Sequence, residues 1–151
     1  MKKEKVNHPK HYNNHVSKVE AIEVIRSFTF NTGSSFKYVF RRDDKDNCIE
    51  DLQKALWYIK DEIQFRKNRK VGFFSRIARD LQLPDLFKFK EYARRTVLIK
   101  KILYYETSFE CKLIYKHLND ADYYIYDITD LLEASIALEI LIEQLKEKKN
   151  G

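Results

Sequence analysis

Polar side chains suited to phosphate binding or acid–base chemistry recur at short spacings between residues 6 and 58. They supply imidazole, phenol, hydroxyl, ammonium, guanidinium and carboxylate groups, which can donate hydrogen bonds to an anion, hold a metal ion or accept a proton. The candidate residues are His8, His11, Tyr12, Ser34, Lys37, Tyr38, Arg41, Lys45, Asp51 and Lys54.

Three histidines, His8, His11 and His15, are spaced at i, i+3 and i+7. Imidazole is the commonest metal ligand in proteins, so this spacing allows a metal site. Pro9 interrupts a helical register, however, and no cysteine or acidic residue lies among the histidines as a further ligand. Two alternatives therefore stand beside metal binding. The histidines could hold the N-terminal arm by local hydrogen bonds, or a histidine or Tyr12 could contact the base or phosphate of a ligand.

A second candidate is a phosphate seat at the start of a helix predicted near Ser34. Free backbone N–H groups at a helix N-terminus attract anions, and residues 32–35 add hydroxyl groups there. Lys37 and Arg41 are one turn apart and Lys45 follows in a charged loop, so three cations could clamp two phosphates. The sequence has no Walker motif, and the glycine of this segment could instead only end the preceding helix.

Asp51, Lys54 and Tyr58 fall at i, i+3 and i+7 on one side of a third predicted helix. Asp51 could pair with Arg41 or Lys45, hold a magnesium ion, or accept a ribose hydroxyl. Two alternative roles are open for Arg41: bidentate recognition of phosphate, or a structural ion pair with Asp51. An ordinary surface ion pair is the remaining alternative, and spacing alone does not separate these roles.

Helices must position these side chains, because the 151 residues include only three glycines and two prolines. We predict an all-α fold, with a compact core of about three helices and a C-terminal helical region. The first helix is predicted to begin at a Ser17–Glu20 capping box and to end at residues 31–33, and the third to begin at Asn47. The predicted inward positions are Phe36, Val39 and Phe40 on the second helix and Ile49, Leu52, Leu56, Ile59 and Ile63 on the third.

Further helices are predicted beyond residue 65, where we place a boundary between a helical domain with a histidine-containing arm (1–65) and a basic segment with a C-terminal helical region (66–151). A short helix covers residues 74–81, and a basic helix runs from Pro84 to about Tyr105. The remaining predictions are Thr107 or Ser108 as the next cap, helix in preference to a short strand at residues 123–126, and Asp130 with Glu133 as the cap of a final helix through about Lys146.

The composition predicts a cytoplasmic protein without a membrane segment. Two cysteines, Cys48 and Cys111, are too few for a disulfide framework. No apolar run follows the charged N-terminus as it would in a signal peptide, and glutamates interrupt the most apolar stretch, residues 131–145.

Charge is unevenly distributed along the chain. Residues 66–101 contain twelve Lys and Arg against three Asp and Glu, a net charge of +9, whereas residues 102–151 contain five against ten, a net charge of −5. The basic segment predicts an anionic partner: nucleotide phosphate, nonspecifically bound nucleic acid, or the acidic region of a neighbouring subunit in a homo-oligomer. Residues 77–83 also resemble the first helix and turn of a helix-turn-helix, although Gln82 stands where a turn glycine is usual.

The motif Asn-His-Pro-Lys-His-Tyr at residues 7–12 begins a longer pattern, which continues with Gly33, with Lys37-Tyr38-x-x-Arg41-x-x-x-Lys45 and with Asp51-Leu52-x-Lys54-Ala55-x-x-Tyr58. Over about residues 6–63 this pattern resembles the SaV-like domain of tailed phages. Members of that family usually have Arg-Ala-Gly-x-Lys where this chain has Arg-Arg-Asp-Asp-Lys, so this chain lacks the glycine on which the family's loop shape and phosphate contact rest. The family includes a phage nucleoside monophosphate kinase without a Walker motif and a phage protein through which a host abortive-infection system acts.

The resemblance implies a phage-encoded nucleotide-binding protein of the infected bacterial cell, or in catalytic form a nucleoside monophosphate kinase that uses ATP and Mg²⁺. Lys37, Arg41 and Lys45 would then neutralise phosphate, Asp51 and Lys45 would be the catalytic residues, and Asp51 would hold the magnesium ion. The alternative, from another class, is a non-enzymatic phage protein that binds a host factor or nucleic acid through its basic segment.

Overall fold

Six α-helices build the part of the chain that the computed structural model describes, which is residues 15–44, 47–69, 89–124 and 127–151. No strand occurs in these ranges, and the all-α prediction is confirmed. The helices are α1 (Ala21–Ile25), α2 (Phe30–Phe40), α3 (Cys48–Asn68), α4 (Phe89–Tyr105), α5 (Phe109–Tyr123) and α6 (Thr129–Asn150), with a 3₁₀ turn at Arg42–Asp44 after α2.

The first helix is much shorter than predicted, and the predicted start at Ser17 is wrong. Lys18 has a φ of 57°, in the left-handed region, so the chain cannot continue as a helix from Ser17. The hydroxyl of Ser17 instead lies 2.7 Å from Nδ1 of His15. The capping box is one turn later, where the Glu23 carboxylate accepts a 3.1 Å hydrogen bond from the backbone N–H of Glu20.

The second helix begins at Phe30, with Thr29 as its N-cap residue, so the predicted break at residues 31–33 is also wrong. Gly33 lies inside α2, where its missing side chain allows a close approach. A Cβ atom at this position would lie 3.1 Å from Cβ of Phe28 and 3.3 Å from Cγ2 of Ile25. The glycine therefore serves the packing of α2 against the turn after α1 rather than a helix end.

One hydrophobic core receives side chains from all six helices. The ring of Phe36 on α2 is fully buried and lies 5.3 Å from the ring of Tyr115 on α5, measured between centroids. Burying such large apolar surfaces is the main favourable term for this fold. The predicted stripe on α3 is confirmed, with Leu52, Ile59 and Ile63 buried and Ile49 and Leu56 packed against the core.

Helices α2 and α3 pack side by side and run antiparallel. At one end, Asn31 donates a 2.9 Å hydrogen bond to the Asp61 carboxylate, and at the other end Arg41 binds Asp51. The predicted start of α3 at Asn47 is confirmed, although the side chain of Asn47 makes no capping hydrogen bond to the helix backbone. Helix α6 packs on α3 and α5, and α4 packs on α5 and α1.

A buried ion pair between Arg95 of α4 and Asp122 of α5 connects these helices to the start of α2. Nη1 of Arg95 lies 3.0 Å from the Asp122 carboxylate, and both side chains are almost completely buried. The same carboxylate accepts hydrogen bonds from the backbone N–H of Thr29, at 3.0 Å, and from the hydroxyl of Thr32, at 2.9 Å. Arg95 also donates to the carbonyl of Ser27.

Two further arginines cross from the N-terminal helices to the C-terminal ones. Arg42 donates to the Glu106 carboxylate at 2.9 Å and to the hydroxyl of Tyr115 at 3.2 Å. Arg66 donates to the backbone carbonyls of residues 121 and 127, at 2.8 and 3.0 Å. The region after residue 66 is therefore held to the region before it by charged hydrogen bonds as well as by the core.

The C-terminal helices follow the predicted order, with one wrong cap. Ser108 caps α5, because its hydroxyl accepts a hydrogen bond from the N–H of residue 111. Helix α6 begins at Thr129, whose N–H binds the Asp127 carboxylate at 2.9 Å, whereas Asp130 binds His117 instead of capping. The end of α4 at Tyr105 is confirmed, and α6 continues four residues beyond the predicted end, to Asn150. The predicted helix at 74–81, its neighbours up to residue 88 and residues 125–126 lie outside the described residues.

None of the helices in the described ranges has a length and apolarity that would let it cross a membrane.

The buried ion pair makes a stability prediction. Asp122→Ala should lower the free energy of unfolding by about 3–5 kcal/mol, because it leaves the guanidinium of Arg95 buried without a counter-charge. Denaturant unfolding followed by circular dichroism measures this loss. The matched control is Glu139→Ala, which removes an exposed ion pair with Lys60 at 2.8 Å and should cost no more than about 1 kcal/mol. Equal losses in the two variants would contradict the structural role of Asp122.

Candidate functional site

Six of the polar and aromatic residues singled out between residues 37 and 58 meet on one surface formed by α2 and α3. Lys37 and Tyr38 lie in the last turn of α2 and Arg41 directly follows it, while residues 51, 54 and 58 share one face of α3. The antiparallel packing brings the end of α2 beside the start of α3. We call this the Tyr38 surface, and its members are Lys37, Tyr38, Arg41, Asp51, Lys54 and Tyr58.

Three cations surround the ring of Tyr38. The guanidinium carbon of Arg41 lies 4.5 Å from the ring centroid, Nζ of Lys37 4.8 Å and Nζ of Lys54 5.9 Å. The faces of an aromatic ring carry negative potential, so the ring helps to hold like charges close together. The result is a cationic patch built around one tyrosine.

Arg41 and Asp51 form a bidentate ion pair. Nε and Nη2 of Arg41 each donate a 2.9 Å hydrogen bond to a different oxygen of the Asp51 carboxylate. Both side chains are largely buried, so the pair connects the end of α2 to the first turn of α3. Of the roles that the sequence left open for these two residues, the geometry matches the structural pair.

Magnesium binding fits this carboxylate poorly. Both Asp51 oxygens already accept hydrogen bonds from a guanidinium, whose positive charge lies where a divalent cation would bind. Within the described ranges, no group of three or more His, Cys, Asp and Glu residues is placed to hold a metal ion. We therefore assign no magnesium ion to Asp51.

The two lysines of the Tyr38 surface differ in their partners. Lys54 binds the Glu50 carboxylate at 2.5 Å, and this hydrogen bond raises the pKa of the lysine. Its Nζ is also 3.9 Å from Asp51. Lys37 is half-buried and has no carboxylate partner among the described residues. Of the cations on this surface, Lys37 is therefore the one that could bind an added anion with the least competition from neighbouring carboxylates.

An aromatic row extends from the cationic patch along the two helices. The rings of Tyr38 and Tyr58 are stacked with centroids 5.9 Å apart, and Phe30 meets Tyr58 edge-on at 5.9 Å. Trp57 also meets the Tyr58 ring edge-on, at 5.1 Å. Phe30 is 77% exposed and Trp57 is 61% exposed, which is unusual for such large apolar side chains.

The sequence interpretation missed Phe30 and Trp57 as site residues. Trp57 follows Lys54 by three positions, so the same helical spacing that grouped Lys54 with Tyr58 could have included it. The sequence prediction placed Phe30 near the end of the first helix. Because that boundary was wrong, Phe30 was not grouped with the second helix, which it begins. Beyond Phe30, a cleft of about 440 Å³ is lined by Thr29, Phe30, Asn31, Glu62, Phe65, Arg66 and Arg69.

The predicted phosphate seat at residues 32–35 is wrong in its geometry. Ser34 lies in the second turn of α2, where the backbone N–H groups belong to the helix, and both Thr32 and Ser35 are buried. The helix N-terminus lies at Phe30 instead, away from the cations at the other end of α2.

The predicted contacts from the N-terminal arm and the charged loop, namely His8, His11, Tyr12 and Lys45, lie outside the described residues. His15, the third histidine of the proposed metal set, is described. Its Nδ1 accepts a 3.2 Å hydrogen bond from the backbone N–H of Ser17, and its ring stacks on Phe40 with centroids 4.8 Å apart. For His15, these contacts match the alternative in which the histidines hold the N-terminal arm by local hydrogen bonds.

One family model matches the N-terminal part of the chain. It is described as a protein of unknown function (DUF3310), and it matches residues 6–60. No curated protein and no solved structure matches the chain. The whole Tyr38 surface lies within the matched segment, so the candidate site belongs to the part of this chain that is similar to the DUF3310 family.

Proposed function

We propose that this chain binds a nucleoside phosphate at the Tyr38 surface. The observation that carries the proposal is the meeting of three cations around one tyrosine ring, with exposed aromatic side chains one ring further along, packed on Tyr58. A nucleotide combines an anionic phosphate with a flat aromatic base, and this surface offers partners for both. Phosphate would contact Lys37 and Lys54, and the base would pack on Trp57 or Phe30.

The charge of the surface limits what it can hold. Lys37, Arg41 and Lys54 supply three positive charges, while Glu50 and Asp51 supply two negative ones, which leaves a net charge of +1. Such a patch suits a monophosphate better than a triphosphate, since each further phosphate charge would need another cation. Lys45, proposed from the sequence as a phosphate contact, would supply a further positive charge.

Phosphoryl transfer from ATP is the catalytic form of the proposal. The fit of Asp51 to Arg41 rather than to a metal ion speaks against the predicted role of Asp51 as a magnesium ligand. Lys37 and Lys54 would then act by neutralising phosphate charge. A phage origin and a cytoplasmic location stay predictions from the sequence.

Lys37→Ala should weaken binding of a deoxynucleoside monophosphate by about 1.5–3 kcal/mol, since it removes a charge-assisted hydrogen bond to phosphate. Trp57 is the only tryptophan in the chain, so its fluorescence reports ligand at this surface without a label. The matched control is Lys112→Ala, an exposed lysine of α5 outside the Tyr38 surface, which should bind like the parent. Equal affinities for both variants, or no fluorescence response to any nucleotide, would contradict the proposal.

The same samples, supplied with ATP and Mg²⁺, test catalysis by the appearance of nucleoside diphosphate. Diphosphate that forms in the parent and is lost in Lys37→Ala supports the kinase form. Binding without product leaves the proposal as nucleotide binding alone.

The Arg41–Asp51 pair gives a separate prediction. Arg41→Ala and Asp51→Ala should each lower the free energy of unfolding by about 3 kcal/mol, because each leaves a largely buried charge without its partner. The double variant should show a coupling of about 0.5–3 kcal/mol in a double-mutant cycle. Thermal and denaturant unfolding measure both, with the exposed Arg26→Ala as control. An Arg41→Ala variant that unfolds like the parent but no longer binds nucleotide would show that Arg41 recognises phosphate instead.

A further inference from the structure

Helix α4 has two opposite faces with different chemistry. At 100° per residue, Arg95, Ile99 and Ile102 fall on one side, and all three are buried. At the same 100° per residue, a second group of five residues falls within an arc of about 80° on the opposite side of the helix. This group, which we call the basic face, consists of Lys90, Arg94, Val97, Lys101 and Tyr104, and every member is exposed.

The cations of the basic face have no carboxylate partners in the described part of the chain. Lys90, Arg94 and Lys101 form no ion pair there, and neither does Lys100 at the edge of the face. Glu91 is the one acidic residue of α4, and it lies about 100° away from Lys90 around the helix. Among the described residues, no carboxylate therefore offsets the positive charge that this face concentrates.

Apolar and aromatic side chains are interleaved with these cations. Tyr104 is 82% exposed and Val97 is 58% exposed. These two side chains share one open, shallow surface with Lys100, Lys101 and Tyr105. An exposed tyrosine beside lysines offers a stacking surface next to charges, which a solvated basic helix does not need.

We infer that the basic face of α4 binds single-stranded nucleic acid without strong sequence preference. From Lys90 to Lys101 the face is about 16 Å long at 1.5 Å per residue, enough to contact several successive phosphates. A base that is free to leave the strand can stack on Tyr104, whereas the bases of a duplex are already stacked. This face shares no residue with the Tyr38 surface, so the inference is independent of nucleotide binding there.

The acidic helix α6 of a second copy is a weaker complement to this face. Glu139 and Glu143, two of its exposed carboxylates, already pair with Lys60 and Lys146, at 2.8 and 2.6 Å. A nucleic-acid strand carries a charge on every nucleotide and releases counterions when it is bound.

The test is fluorescence anisotropy of a labelled deoxythymidine oligonucleotide of about 20 nucleotides, long enough to span the face, titrated with the full chain at several salt concentrations. The triple variant K90A/R94A/K101A should bind at least tenfold more weakly. It should also reduce the slope of log affinity against log salt concentration by about 2, since each phosphate contact on a single strand contributes about 0.7.

The control K112A/K116A/K148A removes the same charge from exposed sites on α5 and α6 and should bind within twofold of the parent. Y104A should weaken binding about fivefold or more through lost stacking.

Four binding results would overturn the inference. They are an absence of binding by the parent, equal losses in the two triple variants, unchanged binding by Y104A, and tighter binding of a duplex than of the single strand. Light scattering provides the remaining check. If K90A/R94A/K101A changes the molecular mass of the protein while oligonucleotide binding stays like the parent's, the face is a contact between copies and not a nucleic-acid site.

Discussion

The buried ion pair between Arg95 and Asp122 determines where α2 begins, and much of the molecule depends on that point. Removing two charges from water is costly, and the cost is met here by saturating both groups with partners. Burial lowers the pKa of Arg95, and the nearby Asp122 opposes that shift. Arg95 also donates to Asn119 twice and lies 4.2 Å from the centroid of the Phe28 ring, so its planar group has a partner on nearly every side.

The start of α2 sets the position of the Tyr38 surface. Asp122 holds the N–H of Thr29 and the hydroxyl of Thr32, which places the first turn of α2 against α5. Lys37 and Tyr38 come two turns later, and their rotation about the helix axis follows from that starting point. The bidentate contact of Arg41 with Asp51 then aligns the other end of α2 with α3. Two buried ion pairs, one at each end of an 11-residue helix, thus hold the candidate site in place.

Local patterns predicted the features that depend on local contacts. The stripe on α3 was predicted correctly, because residues three and four positions apart on one helix must share a face, and the start of the helix at Asn47 was also correct. The same rule grouped Lys54 with Asp51. The start of α2 could not be predicted in this way. A threonine followed by glycine is typical of a helix end, but here Thr32 bonds a carboxylate ninety positions away, and no local pattern contains that partner.

Net charge was the least reliable guide, because it does not distinguish a buried cation from an exposed one. Arg66 and Arg95 both belong to the segment with a net charge of +9, yet each is buried against a carboxylate, so neither adds to the surface charge. Arg94 and Arg95 are neighbours in the sequence and have opposite roles: Arg95 holds the core together, while Arg94 is exposed on the basic face. The 100° between successive helical residues makes this necessary, since a helix that buries Arg95 must turn positions 94 and 101 outward. The ion pair that organises the interior therefore also turns the basic face outward.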